Sequence, residues 1–176
     1  MTERHLRGAL ATTAGMSRQE AIDFLIERAA APRRHGKPER CDVTLAGGNP
    51  GCGDVVTVYL TVDRDADAVA AASFTGEGCT ISQAAASVLL EAVQGAPLSE
   101  IEGMDAADLM DALGRDVVKS RPRCATLALS TLKGAVKQYR NLRLREEAGQ
   151  PMCQPRPAEP APRTSQDSSR DPRRPG

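Results

Sequence analysis

The side chains able to do chemistry in this chain gather in three short segments. Cys52 and Asp54 stand two apart in GGNPGCGDVV, Cys79 sits in FTGEGCTIS, and Cys124 sits in SRPRCATLAL. Thiolates are soft ligands that select Zn(II), Cu(I) or iron–sulfur clusters over Mg(II) or Ca(II). Three of them with one carboxylate make a four-ligand set. A carboxylate is the harder and weaker partner in such a set, whereas a permanent structural zinc usually takes four cysteines or cysteines with histidines. The aspartate therefore suggests a site built to release what it holds. Each cysteine taken singly is also open to the reading of a small buried hydrophobe, and sequence order does not prove that the three meet. Cys41 is expected to pack within a strand, His35 to be a solvated loop residue, and the glycines around Cys52 and Cys79 to form turns.

The elements that must position these residues follow from periodicity. Ser17 with Glu20 forms a capping box, Ile22, Leu25 and Ala29 supply an apolar stripe, and Pro32 stops the helix. Three runs rich in β-branched residues follow, over 41–46, 55–62 and 69–74, with short links at 47–54 and 63–68. They predict an antiparallel meander of three strands. The period then changes. Ile81, Ala84, Ala85, Val88, Leu89 and Val93 are spaced as a helix face, with Gly95 at the stop. A shorter helix is expected over 104–113, capped by Asp105 and ended by Gly114. A long one is expected from Pro122, with a stripe from Ala125 to Tyr139. Strands followed by helices imply an α+β fold, a three-stranded antiparallel sheet covered on one face by helices. Cys52 and Asp54 then lie in the first strand–strand turn, Cys79 where the third strand meets a helix, and Cys124 in the first turn of the last helix. The positive end of a helix favours thiolate over thiol at the last two positions.

Composition narrows the function classes. The 176 residues carry 23 basic and 23 acidic side chains, so no charge excess points to nucleic acid or a membrane surface. Aromatics are 2% of the chain, which argues against base-stacking platforms. No apolar run approaches the roughly 18 residues of a membrane span, and residues 1–16 lack a signal-peptide core, so a cytoplasmic protein is expected. Five cysteines, odd in number and widely spaced, argue for metal or sulfur chemistry over a disulfide framework. The absence of a CxxC argues against thiol–disulfide exchange. The organisation expected is a flexible stretch at 1–16, a domain at 17–148, and a Pro/Arg/Ser-rich disordered tail at 149–176 that contains Cys153.

GGNPGCGD, FTGEGCTISQAAAS and RPRCATLALSTLKGAV resemble, in order, three signature segments of the IscU/SufU/NifU-N-terminal family of iron–sulfur cluster assembly scaffolds. AAAPRRHGKPERCD is similar to that family's lead-in to its first strand, and the resemblance spans about residues 17–138. It implies that Cys52, Asp54, Cys79 and Cys124 hold a transient [2Fe–2S] cluster, or Zn(II). It further implies that the chain accepts sulfur from a cysteine desulfurase of the SufS/IscS/NifS type and passes the cluster to apo iron–sulfur or carrier proteins. The alternative is a SufU-like, zinc-dependent sulfur acceptor. Either role is that of a scaffold or carrier before that of an enzyme, with sulfurtransferase activity as the enzymatic variant. Cys124 is the candidate persulfide acceptor and Arg123 the candidate stabiliser of its thiolate. Two departures bear on the branch. IscU-type members have a histidine where this chain has Arg123, and their Leu-Pro-Pro-Val-Lys chaperone-docking stretch is replaced by VVKSRPR. A dedicated Hsp70 chaperone is therefore not expected as a partner. The arginine is more SufU-like, yet the short Cys79-to-Cys124 stretch leaves little room for the extra SufU segment.

Overall fold

The structure is a computed structural model that describes residues 4–10 and 12–148. Its centre is a sheet of three strands, β1 (Val43–Asn49), β2 (Asp54–Asp63) and β3 (Ala68–Glu77), paired antiparallel in the order β1-β2-β3. Burial alternates along β2: Val56, Val58, Leu60 and Val62 are buried, whereas Val55, Thr57 and Thr61 face outward with partial exposure. A two-residue period of this kind is what a sheet covered on one face requires. The register, with Asn49 opposite Asp54, folds the β1–β2 link into a tight turn.

Two helices cover the inner face, α3 (Thr80–Ala92) and α7 (Pro122–Glu147). α2 (Arg18–Ala30) lies on α3 in turn, so residues Ala84 to Leu90 of α3 are buried all round. Ser17 caps α2 as expected: its hydroxyl accepts from the Glu20 amide at 3.3 Å, and its own amide donates to the Glu20 carboxylate at 2.7 Å. Asp105 caps α5 (Ala106–Ala112) through the Ala107 amide. Two short helices, α4 (Leu98–Gly103) and α6 (Arg115–Val118), complete the connection from α3 to α7. Among the described residues no helix is long and apolar enough to cross a membrane.

Three expectations change. The strands are longer than the β-branched runs, because glycines read as turn formers lie inside them. Gly47 belongs to β1, and a Cβ there would fall 1.9 Å from Thr131 Oγ1 of α7, so glycine permits close helix–strand packing. Cys41, expected within a strand, precedes β1 and places its sulfur 3.2 Å from Thr44 Oγ1. The stretch before Ser17, expected to be loose, contains α1 (Arg4–Leu10), whose Leu6 and Leu10 are buried against the core. Their spacing of four is a single helical contact pair, too short a pattern to stand out in the sequence. The expected tail at 149–176, with Cys153, lies outside the described residues.

Candidate metal centre

The β1–β2 turn is organised by one side chain. Asn49 is buried; its backbone oxygen accepts from the amides of Cys52 at 3.2 Å and Gly53 at 2.9 Å, and its Oδ1 accepts from Gly51 at 3.1 Å. Gly53 takes φ +74°, a left-handed turn that a residue with a Cβ resists. The result turns Cys52 outward to solvent and directs Asp54, the first residue of β2, inward to 3% exposure.

Cys79 is the N-cap residue of α3. Its amide donates to Asp54 Oδ1 at 3.0 Å and its thiol lies 3.4 Å from Asp54 Oδ2, so one carboxylate takes both groups of one cysteine. Room for this comes from Gly78, where a Cβ would stand 2.9 Å from Asp54 Oδ1 and 2.5 Å from Ser82 Oγ. Cys124 arrives from α7, which opens on Pro122, a residue with no amide hydrogen to leave unpaired at a helix start. Its sulfur is 4% exposed as a residue, lies 3.3 Å from Cys52 Sγ, and receives Asn49 Nδ2 at 3.7 Å.

The ligand atoms of Cys52, Asp54 and Cys124 all fall within 4.8 Å of one another. Two thiolates on one zinc ion, each about 2.3 Å from it, stand at most about 4.6 Å apart, so the cysteine pair meets that limit. Cys79 joins the group through Asp54. The four residues singled out in the sequence therefore meet at one rim, three of them within reach of a common atom. The donor set, two or three sulfurs with one carboxylate, suits zinc or an iron–sulfur cluster.

Electrostatics separate the ligands. Burial alone would push the Asp54 carboxyl up, but hydrogen bonds from Cys52, Cys124 and Cys79 together outweigh it and hold the group below the usual range. Cys124 goes the other way: burial first, then its contacts with Cys52 and Asp54 and the neighbouring Cys79, push its thiol well up. Burial and these neighbours thus oppose the thiolate that a helix N-terminus was expected to favour. Beside this thiol is a cleft of about 440 Å³, lined by Asn49, Cys52, Arg121, Arg123 and Cys124. Arg123 is exposed at its edge, as is Arg121. Asn49, Gly78 and Arg121 were not singled out in the sequence. The Asn-Pro pair before Cys52 was the available signal, since Asn side chains bond backbone amides two residues on.

A family model for the NifU-like N terminal domain matches residues 20–146. The chain belongs to the NifU-like N-terminal domain family. It is 33% identical over 132 residues to the iron–sulfur cluster assembly scaffold protein IscU of Thermotoga maritima, covering 66% of this chain and 92% of that protein. It is 34% identical over 108 residues to the zinc-dependent sulfurtransferase SufU of Bacillus subtilis, covering 51% of this chain and 72% of that protein. Among solved structures, a putative cluster assembly scaffold protein of the SUF system from Fervidobacterium islandicum superposes with a TM-score of 0.54 at 27% identity. That superposition covers 65% of this chain and 94% of the Fervidobacterium chain. Both branches of the NifU-like N-terminal domain family are thus among this chain's relatives.

Proposed function

We propose that this chain is an iron–sulfur cluster assembly scaffold. It takes sulfur from a cysteine desulfurase, carries a [2Fe–2S] cluster as cargo on Cys52, Asp54, Cys79 and Cys124, and hands it to apo-proteins. The observation that carries this reading is the meeting of Cys52, Asp54 and Cys124, from a turn, a strand and a helix, within 4.8 Å at a rim that opens into a cleft.

Sulfur arrival is a transfer between sulfurs. A thiolate on this chain attacks the outer sulfur of the desulfurase persulfide; a new S–S bond forms here, the donor's S–S bond breaks, and the donor cysteine leaves as thiolate. Cys124 is the acceptor in this reading. Its proton passes first to water in the cleft, and the negative charge is then met by the Asn49 amide and by Arg123 at the cleft edge. Asp54 completes the set as a weak ligand, which suits cargo that must depart.

One feature favours a second reading, a zinc-dependent sulfur acceptor: Arg123 stands where IscU-type members have a histidine. Anaerobic addition of iron, sulfide and a desulfurase separates the two. A scaffold develops the visible absorption of a [2Fe–2S] centre and loses it to an apo-ferredoxin. A protein that stays colourless, keeps one zinc and still accepts persulfide is a sulfur carrier, and the scaffold reading fails.

A further inference from the structure

A second cavity, of about 380 Å³, lies on the outer face of the sheet, away from the cysteine rim. Its floor includes Tyr59, Thr61 and Ser73, and its wall includes Arg34, Lys37 and Arg40 from the loop between α2 and β1. Tyr59 is five residues along β2 from Asp54 and points to the opposite face, which puts the cavity about 17 Å from the rim at the rise of an extended strand.

Two features make this a built cavity. The loop is fastened to the free edge of β3: the Phe74 amide donates to Arg34 O at 2.9 Å and the Gly36 amide donates to Phe74 O at 2.8 Å. The His35 ring sets edge-on against Phe74 at 5.2 Å. Arg34 is held at φ +59°, a conformation uncommon for a residue with a Cβ. Moreover, three cations converge on this one wall, and among the described residues Arg34, Lys37 and Arg40 have no carboxylate within ion-pair distance. The acidic residues nearby do not compensate. Glu39 does not line the cavity, and Asp42 is bound to the Val62 amide at 2.8 Å. Thr61 and Ser73, which also line the cavity, make no side-chain hydrogen bond within the described residues.

We propose that this cavity binds a phosphate group carried by a small molecule. Three cations on one wall and two hydroxyls on the floor surround a volume at the lower end of the range for small-ligand sites. Their number exceeds what a single planar carboxylate satisfies and matches the several acceptor oxygens of a phosphate, to which guanidinium groups donate in pairs. The fastened loop holds the backbone that carries these donors in place, so that binding has mainly their side chains left to order.

Isothermal titration of the full chain with inorganic pyrophosphate, at ionic strength held constant with chloride, tests this. Saturable one-to-one binding is expected. The double variant Lys37→Gln/Arg40→Gln, whose side chains make no described hydrogen bond, should weaken it by about ten-fold or more. Ser73→Val should weaken it too, and Arg123→Gln at the rim cleft should leave it unchanged. Four results overturn the proposal: no saturable heat, equal affinity in the double variant, loss in Arg123→Gln instead, or a poly-glutamate peptide binding as tightly as pyrophosphate.

Discussion

Asp54 grips Cys79 twice, one carboxylate oxygen on its amide at 3.0 Å and the other on its thiol at 3.4 Å. The aspartate is thus both a ligand candidate and the strut that ties the start of α3 to the start of β2. Asp54→Ala removes both roles. Cys79 is freed to join the other two sulfurs, and the weakest ligand is gone. The expected outcome is an assembled cluster that stays on the variant, with transfer to an apo-ferredoxin slowed by about ten-fold or more. Transfer at the parent rate counts against a labile role for Asp54.

Gly78 supports the same carboxylate by leaving space. In Gly78→Ala the new methyl would sit 2.9 Å from Asp54 Oδ1 and 3.0 Å from its carboxyl carbon, so the side chain must swing away. Overpacking of this sort costs about 1–3 kcal/mol. We expect a lowered Tm together with a lower metal content per chain. A variant that binds metal like the parent would show that Asp54 holds its place without this gap.

Asn49 acts on the turn and on a sulfur at once. Asn49→Ala loses the bond to the Gly51 amide and the donor to Cys124, a cost of about 0.5–1.5 kcal/mol for each neutral hydrogen bond. Persulfide acceptance should fall by more than the stability loss accounts for, and Asn49→Asp, which keeps the turn and lacks the donor, should restore Tm without restoring the rate. Full recovery in Asn49→Asp would reduce Asn49 to a turn former.

The depressed Asp54 group makes the metal-free protein acid-sensitive. In the unfolded chain an aspartate titrates near about 3.9. With the folded value lower, the contribution of Asp54 to stability is complete above the unfolded value and is lost as the pH falls through the folded one. Below about pH 4 the parent should therefore lose Tm more steeply than Asp54→Asn, read in thermal melts with a chelator present. Parallel curves would show that hydrogen bonds from the three cysteines do not favour the carboxylate.

Close packing of α7 on β1 predicts a repairable defect. Gly47→Ala drives a methyl into Thr131 Oγ1, and the loss should be about 1–3 kcal/mol or more. Thr131→Ala in the same chain removes the clashing hydroxyl and should recover part of it. Chemical denaturation of the three variants gives the coupling directly; additive losses would mean that the helix shifts as a whole.

What could be read from the sequence depended on whether the signal was local. The Ser17 capping box, the apolar stripe of α3 and Pro122 at the start of α7 are determined by neighbours a few residues away, and each appears where its spacing put it. Residue type alone marked Cys52, Asp54, Cys79 and Cys124 as one donor set; the resemblance to a family supplied the convergence that spacing did not. Other features depend on contacts distant in sequence. Gly47 inside β1 is explained by Thr131, 84 positions later, and the raised Cys124 thiol by burial that no helix rule foresees. Cys41 fell outside its expected strand because strand ends are set by pairing partners, here Val43 opposite Leu60, and not by β-branched composition.

The unequal exposure of the two touching sulfurs limits what can approach them. Cys52 is open to water while Cys124, 3.3 Å away, is covered. A visiting protein surface can meet the first directly; the second is reached only by way of the cleft that Arg121 and Arg123 line. A donor that serves Cys124 has to carry its reactive atom into that cleft, whereas one that serves Cys52 can stay at the surface.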